Sequence, residues 1–215
     1  MASAAFNEFK FNILDAKRLQ QAHDLMSNGD KGRKGLGHIT RSGVVMLCAA
    51  WERYNEAVII ESVKHLASQI SDPQTLPKDV RLYLSEIARN SKHNLMPMML
   101  AGEGWRSMFI TQAENETYSL NTPKSSNLIP LYKKLIGIKD VTTLWTGGAI
   151  PIDRIVSVRG DIAHKGRNAP YIKAIQLESY IYLVRTLTAE HDNKLCDYLK
   201  QINSSNYQPW RRTAR

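Results

Sequence analysis

ITRSGVVMLCAAWERYNEAVIIESVKHLASQIS, residues 39–71, carries apolar side chains at 44, 45, 47, 48, 51, 54, 58, 59, 63 and 66 and contains no proline. Recurrence in steps of three and four residues is the pattern of one helix face. The spacing therefore predicts the longest helix of the chain here. Pro73 and Pro77 end it, because proline has no amide donor and keeps the residue before it out of helical geometry. Working outward toward the N-terminus, Phe6 to Met26 predicts an amphipathic first helix on Phe6, Phe9, Ile13, Leu14 and Leu25. SNGDKGRKGLG, residues 27–37, breaks it with glycines at 29, 32, 35 and 37 and reads as a mobile connection.

Toward the C-terminus, Pro77 to Asn90 predicts a shorter helix on Val80, Leu82, Leu84 and Ile87. The following region, His93 to Glu116, is less regular and holds methionines at 96, 98, 99 and 108 with Trp105 and Phe109. Asn121 to Asn127 reads as a loop, with Asn127 expected to cap a helix that runs to Ile136 and Gly137 to close it in the left-handed conformation. Pro151 opens a segment on Ile152, Ile155, Val156 and Val158, Gly166 to Pro170 breaks it, and Tyr171 to about Ile202 predicts a long last helix. Nothing alternates with period two over a useful length and no internal repeat is present. The expected fold class is all-α, a bundle of long antiparallel helices with an irregular middle insertion.

A chain of 215 residues buries roughly 70% of its unfolded surface, enough for one domain without disulfide or metal. Residues 1–203 are expected to form it, with a core from about 37 to 190, and the basic stretch 204–215 reads as a frayed tail. Cys48 and Cys196 both lie in apolar surroundings and read as small core residues. No apolar run approaches the length of a membrane span and the start carries no leader pattern, so the expected location is the cytoplasm. A net charge of +9 raises encounter rates with polyanions such as RNA, DNA or anionic membranes, without choosing among them.

Within VSVRGDIAHKG, residues 156–166, Arg159 and His164 stand five residues apart at the end of a predicted helix. Five residues correspond to about 140° around a helix axis, so the two do not share a face, although a long arginine can reach round to a phosphate beside the helix end if the helix loosens near Gly166. Gly160, one turn before His164, leaves room beside the imidazole, while Asp161 is placed to accept a hydrogen bond from it and Ile162 and Ala163 are expected to face the core. The pair suits RNA cleavage: histidine titrates near neutrality and can move the 2′-hydroxyl or leaving-group proton, and guanidinium binds phosphate oxygens in pairs. An arginine and a histidine at this spacing also recur in helices that catalyse nothing.

VSVRGDIAHKG resembles the signature of the HEPN superfamily, an arginine, a nearby polar residue and a histidine before the last long helix. SGVVMLCAAWERYNEAV, LNTPKSSNLIPLYKKLIGI and the segment ending in Trp145 look like the RiboL-PSP branch, over about Gly37 to Glu190. The resemblance implies an all-α HEPN-type bundle, usually a homodimer with the motifs at the interface, and a metal-independent ribonuclease of toxin or antiviral defence systems. It makes Arg159 and His164 the catalytic pair, needs no cofactor, and brings an RNA substrate and an antitoxin or other defence-system partner. The family's polar residue commonly follows the arginine directly, whereas here Gly160 stands there and Asp161 comes next. The competing expectation is a noncatalytic HEPN module that binds protein or RNA.

Glu52 and Arg53, adjacent charges in the longest apolar pattern, are expected to support the site through a buried ion pair or a contact to the motif helix. Lys165, Arg167 and Asn121 are expected to contact substrate. GDKGRKGLGH, residues 29–38, lacks the phosphate-loop spacing. His23, His38, His65, His93 and His191 show no paired ligand spacing, so no metal site is expected.

Overall fold

The computed structural model describes residues 1–27, 35–202 and 207–213. Residues 28–34 of the expected connector, the expected domain boundary at Asn203, and residues 204–206 and 214–215 of the expected tail lie outside them. Among the described residues there are eight α-helices: α1 Ala4–Ser27, α2 Gly37–Gln69, α3 Lys78–Asn90, α4 Met96–Met99, α5 Gly104–Tyr118, α6 Ser125–Ile136, α7 Ile150–Lys165 and α8 Ala174–Ile202. No strand occurs among the described residues, and the fold is all-α. No described helix is long and apolar enough to cross a membrane.

α2 is the centre of the bundle. Its buried residues run from Gly37 to Ala67, and α1, α5, α6, α7 and α8 all pack on it. A helix enclosed on several sides needs apolar residues around most of its circumference rather than in one stripe. α1 lies antiparallel to α2, since Glu61 accepts from the first amides of α1 and Arg53 pairs with Glu8 at 3.0 Å. α7 also runs antiparallel to α2, with the Cys48 thiol donating to the Ile155 carbonyl at 3.8 Å. α8 returns in the direction of α2, placing Leu177 against Gly43 and Asp192 against Tyr54. A Cβ on Gly43 would come within 2.5 Å of the Leu177 side chain, so the absence of a side chain sets how closely α2 and α8 approach.

The core is one continuous cluster from Ala5 to Trp210, so the expected core of 37–190 is too short: α1 belongs to it. The tail expectation is corrected as well. Trp210 is buried and donates to the Asp192 carbonyl at 3.2 Å, and Thr213 donates to the Asn193 side chain at 2.8 Å. The indole gives residues 207–213 the buried apolar surface that a reading by charge overlooks. Leu25, expected in the apolar stripe of α1, is exposed because the buried stripe stops at Ala16.

α6 begins at Ser125 rather than at Asn127. Asp153 of α7 accepts from both the amide and the hydroxyl of Ser125, which supplies from another helix the cap expected of Asn127. Gly137 closes α6 at φ 85°, a conformation only glycine adopts at low cost.

At the centre lies His191, fully buried among Trp51, Tyr54, Tyr132 and Trp145. Its Nδ1 accepts from Trp145 Nε1 at 3.0 Å, which requires the neutral tautomer protonated on Nε2. Burial pushes its pKa down to about 3. Next to it, burial pushes Asp192 up to about 6 against the hydrogen bonds from Ser3. Between pH 3 and 6.5 the unfolded chain binds more protons at His191 than the folded one, so this residue makes stability rise with pH. Asp192 acts oppositely between about pH 4 and 6, by the smaller shift. Urea unfolding across this range is expected to show wild-type stability nearly level between about pH 6 and 4, where the two residues offset each other, and falling as pH drops from about 4 to 3, where His191 acts alone. His191→Gln, less stable at neutral pH, is expected to lose that fall, and an equally steep acid loss in the variant would refute the assignment. Gly43→Ala is expected to cost about 1–3 kcal/mol by overpacking, read as a lowered Tm.

Candidate functional site

α7 is built to hold its two ends differently. Its first turn is fixed through Asp153 and Ser125, and its buried stripe of Ile152, Ile155 and Val156 packs toward α2. Arg159 continues this stripe, since it lies seven residues from Ile152 and three from Val156. It is half-buried. Its positive charge reaches Glu52 and Cys48 on α2. Burial pushes the half-buried Glu52 carboxyl up, Arg159 pulls it down, and Glu56 pushes it up, with a net rise. Burial likewise pushes the Cys48 thiol up to about 12, against the pull of Arg159. Cys48 is thus a protonated core residue rather than a nucleophile.

His164 lies on the other side of the helix and is exposed. Gly160, one turn earlier, has nothing within 4 Å of where a Cβ would stand, so the flank of the imidazole is open. Asp161 does not meet His164: its carboxylate pairs with Lys165 at 2.7 Å. The expected orienting role is corrected, because a helix offers an acid neighbours at both three and four residues and the cation four residues on competes for it. Ala163, expected in the core, is exposed, while Ile162 packs on the core edge. Gly166 ends α7 at φ 51°, and Arg167 stands exposed in the 3-10 turn Gly166–Asn168.

Among the other expected residues, Glu52 reaches the motif helix and Arg53 does not. Arg53 is exposed and pairs with Glu8 and Glu56, tying α1 to α2. The expected Glu52–Arg53 ion pair is therefore absent. Asn121 lines a separate cavity of about 310 Å³ with Ser119, Thr122 and Lys134. It lies near the start of α7, while Asp153 and His164 stand about 16 Å apart along the axis. Asn127 donates to the Thr122 carbonyl at 2.8 Å, which braces this loop.

Two residues near the motif escape the sequence reading. His38 and Arg41, at the start of α2, line a cavity of about 350 Å³ with Val45, Met46, Ile162 and Gly166. His38 Nδ1 lies 3.2 Å from the Gly35 carbonyl; donation from Nδ1 leaves Nε2 as an acceptor toward ligand. Their spacing of three in the first turn of the longest helix was the available signal. Together, an arginine with its charge near a carboxylate, an exposed histidine with a clear flank, and a second cation-and-histidine pair form a basic surface at one end of α2 and α7.

A sequence-family model described as RiboL-PSP-HEPN matches residues 8–197. The chain belongs to the RiboL-PSP-HEPN family. The match takes in α1, which the motif resemblance over 37–190 did not reach, and ends within α8. HEPN domains are often ribonucleases, and membership supports a nuclease or RNA-binding module. No curated protein and no solved structure matches the chain.

Exposed acid–base pairs of the Asp161–Lys165 type contribute little to stability. Asp161→Asn in this HEPN domain is expected to shift Tm by no more than about 3 °C. Gly160→Leu is expected to retain the fold while weakening RNA binding, measured by fluorescence anisotropy; unchanged binding would deny the clearance beside His164 any role.

Proposed function

We propose that this HEPN domain is a metal-independent endoribonuclease acting as a homodimer. The supporting observation is the placement of Arg159 and His164 in a family-matched chain, on one helix end open to ligand. The 2′-oxygen of a nucleotide attacks the adjacent phosphorus, the bond to the 5′-oxygen breaks, and a 2′,3′-cyclic phosphate and a 5′-hydroxyl result. His164 takes the 2′-hydroxyl proton or protonates the leaving 5′-oxygen. Arg159 binds the phosphate oxygens and stabilises charge on the pentacoordinate phosphorus. Because the two side chains diverge by about 140°, pairing Arg159 and His164 of two copies across a twofold axis assembles both functions on one phosphate. Lys165 and Arg167 extend the basic surface, and no cofactor takes part. A toxin or antiphage setting with an inhibiting partner accords with this activity.

A noncatalytic RNA- or protein-binding role has one observation in its favour: no described residue orients the His164 imidazole. Cleavage of RNA in EDTA by wild type, Arg159→Ala and His164→Ala separates the two. Loss of activity by about 100-fold or more in each variant is expected for acid–base and charge-stabilising residues. An inert wild type that still binds RNA would establish the binding role. Glu52→Gln, which leaves Arg159 without its carboxylate neighbour, is expected to lower kcat more than it raises KM. Glu52→Asp is expected to recover part of the loss.

A further inference from the structure

On the face of the bundle formed by α1 and α8 runs a groove of about 930 Å³. Phe6, Ile13 and Lys17 line one wall, and Tyr182, Arg185 and Ala189 the other. Each wall is a single stripe of helical period, and Phe6 to Lys17 spans about 17 Å. Two antiparallel helices with facing ridges and an open channel between them form the seat of a third helix.

The charge of the channel selects its occupant. Lys10, Lys17, Arg185, Lys194 and Arg212 line it against one carboxylate, Glu190. Glu190 is held by Thr146 and Lys194, and Arg212 pairs with Asp197. The remaining cations, Lys10, Lys17 and Arg185, stand over an apolar floor. We propose that this groove is a docking site for an acidic amphipathic helix of a partner protein. Single-stranded RNA fits less well, because such sites present aromatic faces for base stacking. Here the rings of Phe6 and Phe9 are buried and only Tyr182 is exposed. A second copy of this chain, with net charge +9, lacks the charge complementarity. An apolar stripe against the floor and acidic residues against Lys10, Lys17 and Arg185 supply what the channel lacks.

A library of acidic amphipathic peptides of about 18 residues, varied at the apolar positions, tests this against the full chain. The controls are the same peptides with lysine for glutamate, and oligouridylate. Acidic members are expected to bind, to protect amides of α1 and α8 from exchange, and to weaken as salt rises. Lys17→Glu with Arg185→Glu is expected to weaken them about tenfold or more, and Thr186→Trp, which fills the channel from an exposed position, to weaken them as well. No binding by any acidic member, or equal binding of the lysine peptides, overturns the proposal. Oligouridylate protecting the same amides with the same loss in the variants assigns the groove to RNA and also overturns it. Exchange protection in the wild type stands whether or not the variants fold.

Discussion

The hydrogen bond from Trp145 Nε1 to His191 Nδ1, at 3.0 Å, fixes more of this molecule than its size suggests. It exists only while the imidazole is neutral, and the surrounding aromatic rings and complete burial keep it so. The neighbouring Glu190 accepts from the amide and hydroxyl of Thr146. Burial pushes the Glu190 carboxyl up, but bonds from Lys194 and Thr146 together hold it below the usual carboxylate range. Two consecutive residues of α8 thus grip the two residues that lead into α7. With Asp153 bound to Ser125 at the next turn, the start of α7 is held from two sides. Its direction, and with it the path of Arg159 toward Glu52, follows from these contacts.

α2 divides the molecule into two working faces. One side carries α7, and near its end the exposed His164, the half-buried Arg159 and the cavity of His38 and Arg41. The other carries α1, whose stripe meets α8 around the basic groove. The excess of positive charge is therefore distributed over two surfaces of different character. The motif face offers a histidine and an arginine beside open space, whereas the groove offers cations over an apolar floor with a single carboxylate, Glu190. On the proposed readings, the first surface suits a phosphate and the second a folded acidic segment.

The helices were legible because burial imposes a period, and α2, α3, α7 and α8 keep theirs within a few residues of the expected limits. Arg159, Gly160 and His164 were legible as a motif, and Glu52 as a charge in an apolar pattern that needed a neighbour. Contacts between distant segments were not legible. Ser125 capped by Asp153, Trp210 buried against Asp192, and His38 beside Ile162 depend on where two pieces of chain meet. Asp161 failed for a local reason: geometry admits a partner three or four residues on, and the sequence does not say whether His164 or Lys165 is taken. Arg53 looked like the partner of Glu52 because they are adjacent in sequence, yet successive helical residues point about 100° apart. That angle sends Arg53 to α1 and Glu52 to α7.

The same angular argument bears on how the proposed reaction can be organised. Arg159 continues the stripe that packs on α2, and its charge is felt by Glu52 and Cys48, so it cannot swing to the outer flank without leaving a half-buried carboxylate uncompensated. His164 stands on that outer flank with Gly160 open beside it. One copy therefore presents a guanidinium and an imidazole on different sides of one helix. Bringing both to one phosphorus takes either unwinding at Gly166 or a second copy, and unwinding would give up the packing of Ile162 at the core edge. A twofold arrangement keeps both helices intact and leaves Arg159 beside Glu52. The partly exposed Met46 and the exposed Ala163 at this end are small apolar surfaces that such a pairing would cover. On the proposed reading, dimerisation is the step that makes an arginine and a histidine on opposite flanks into one site.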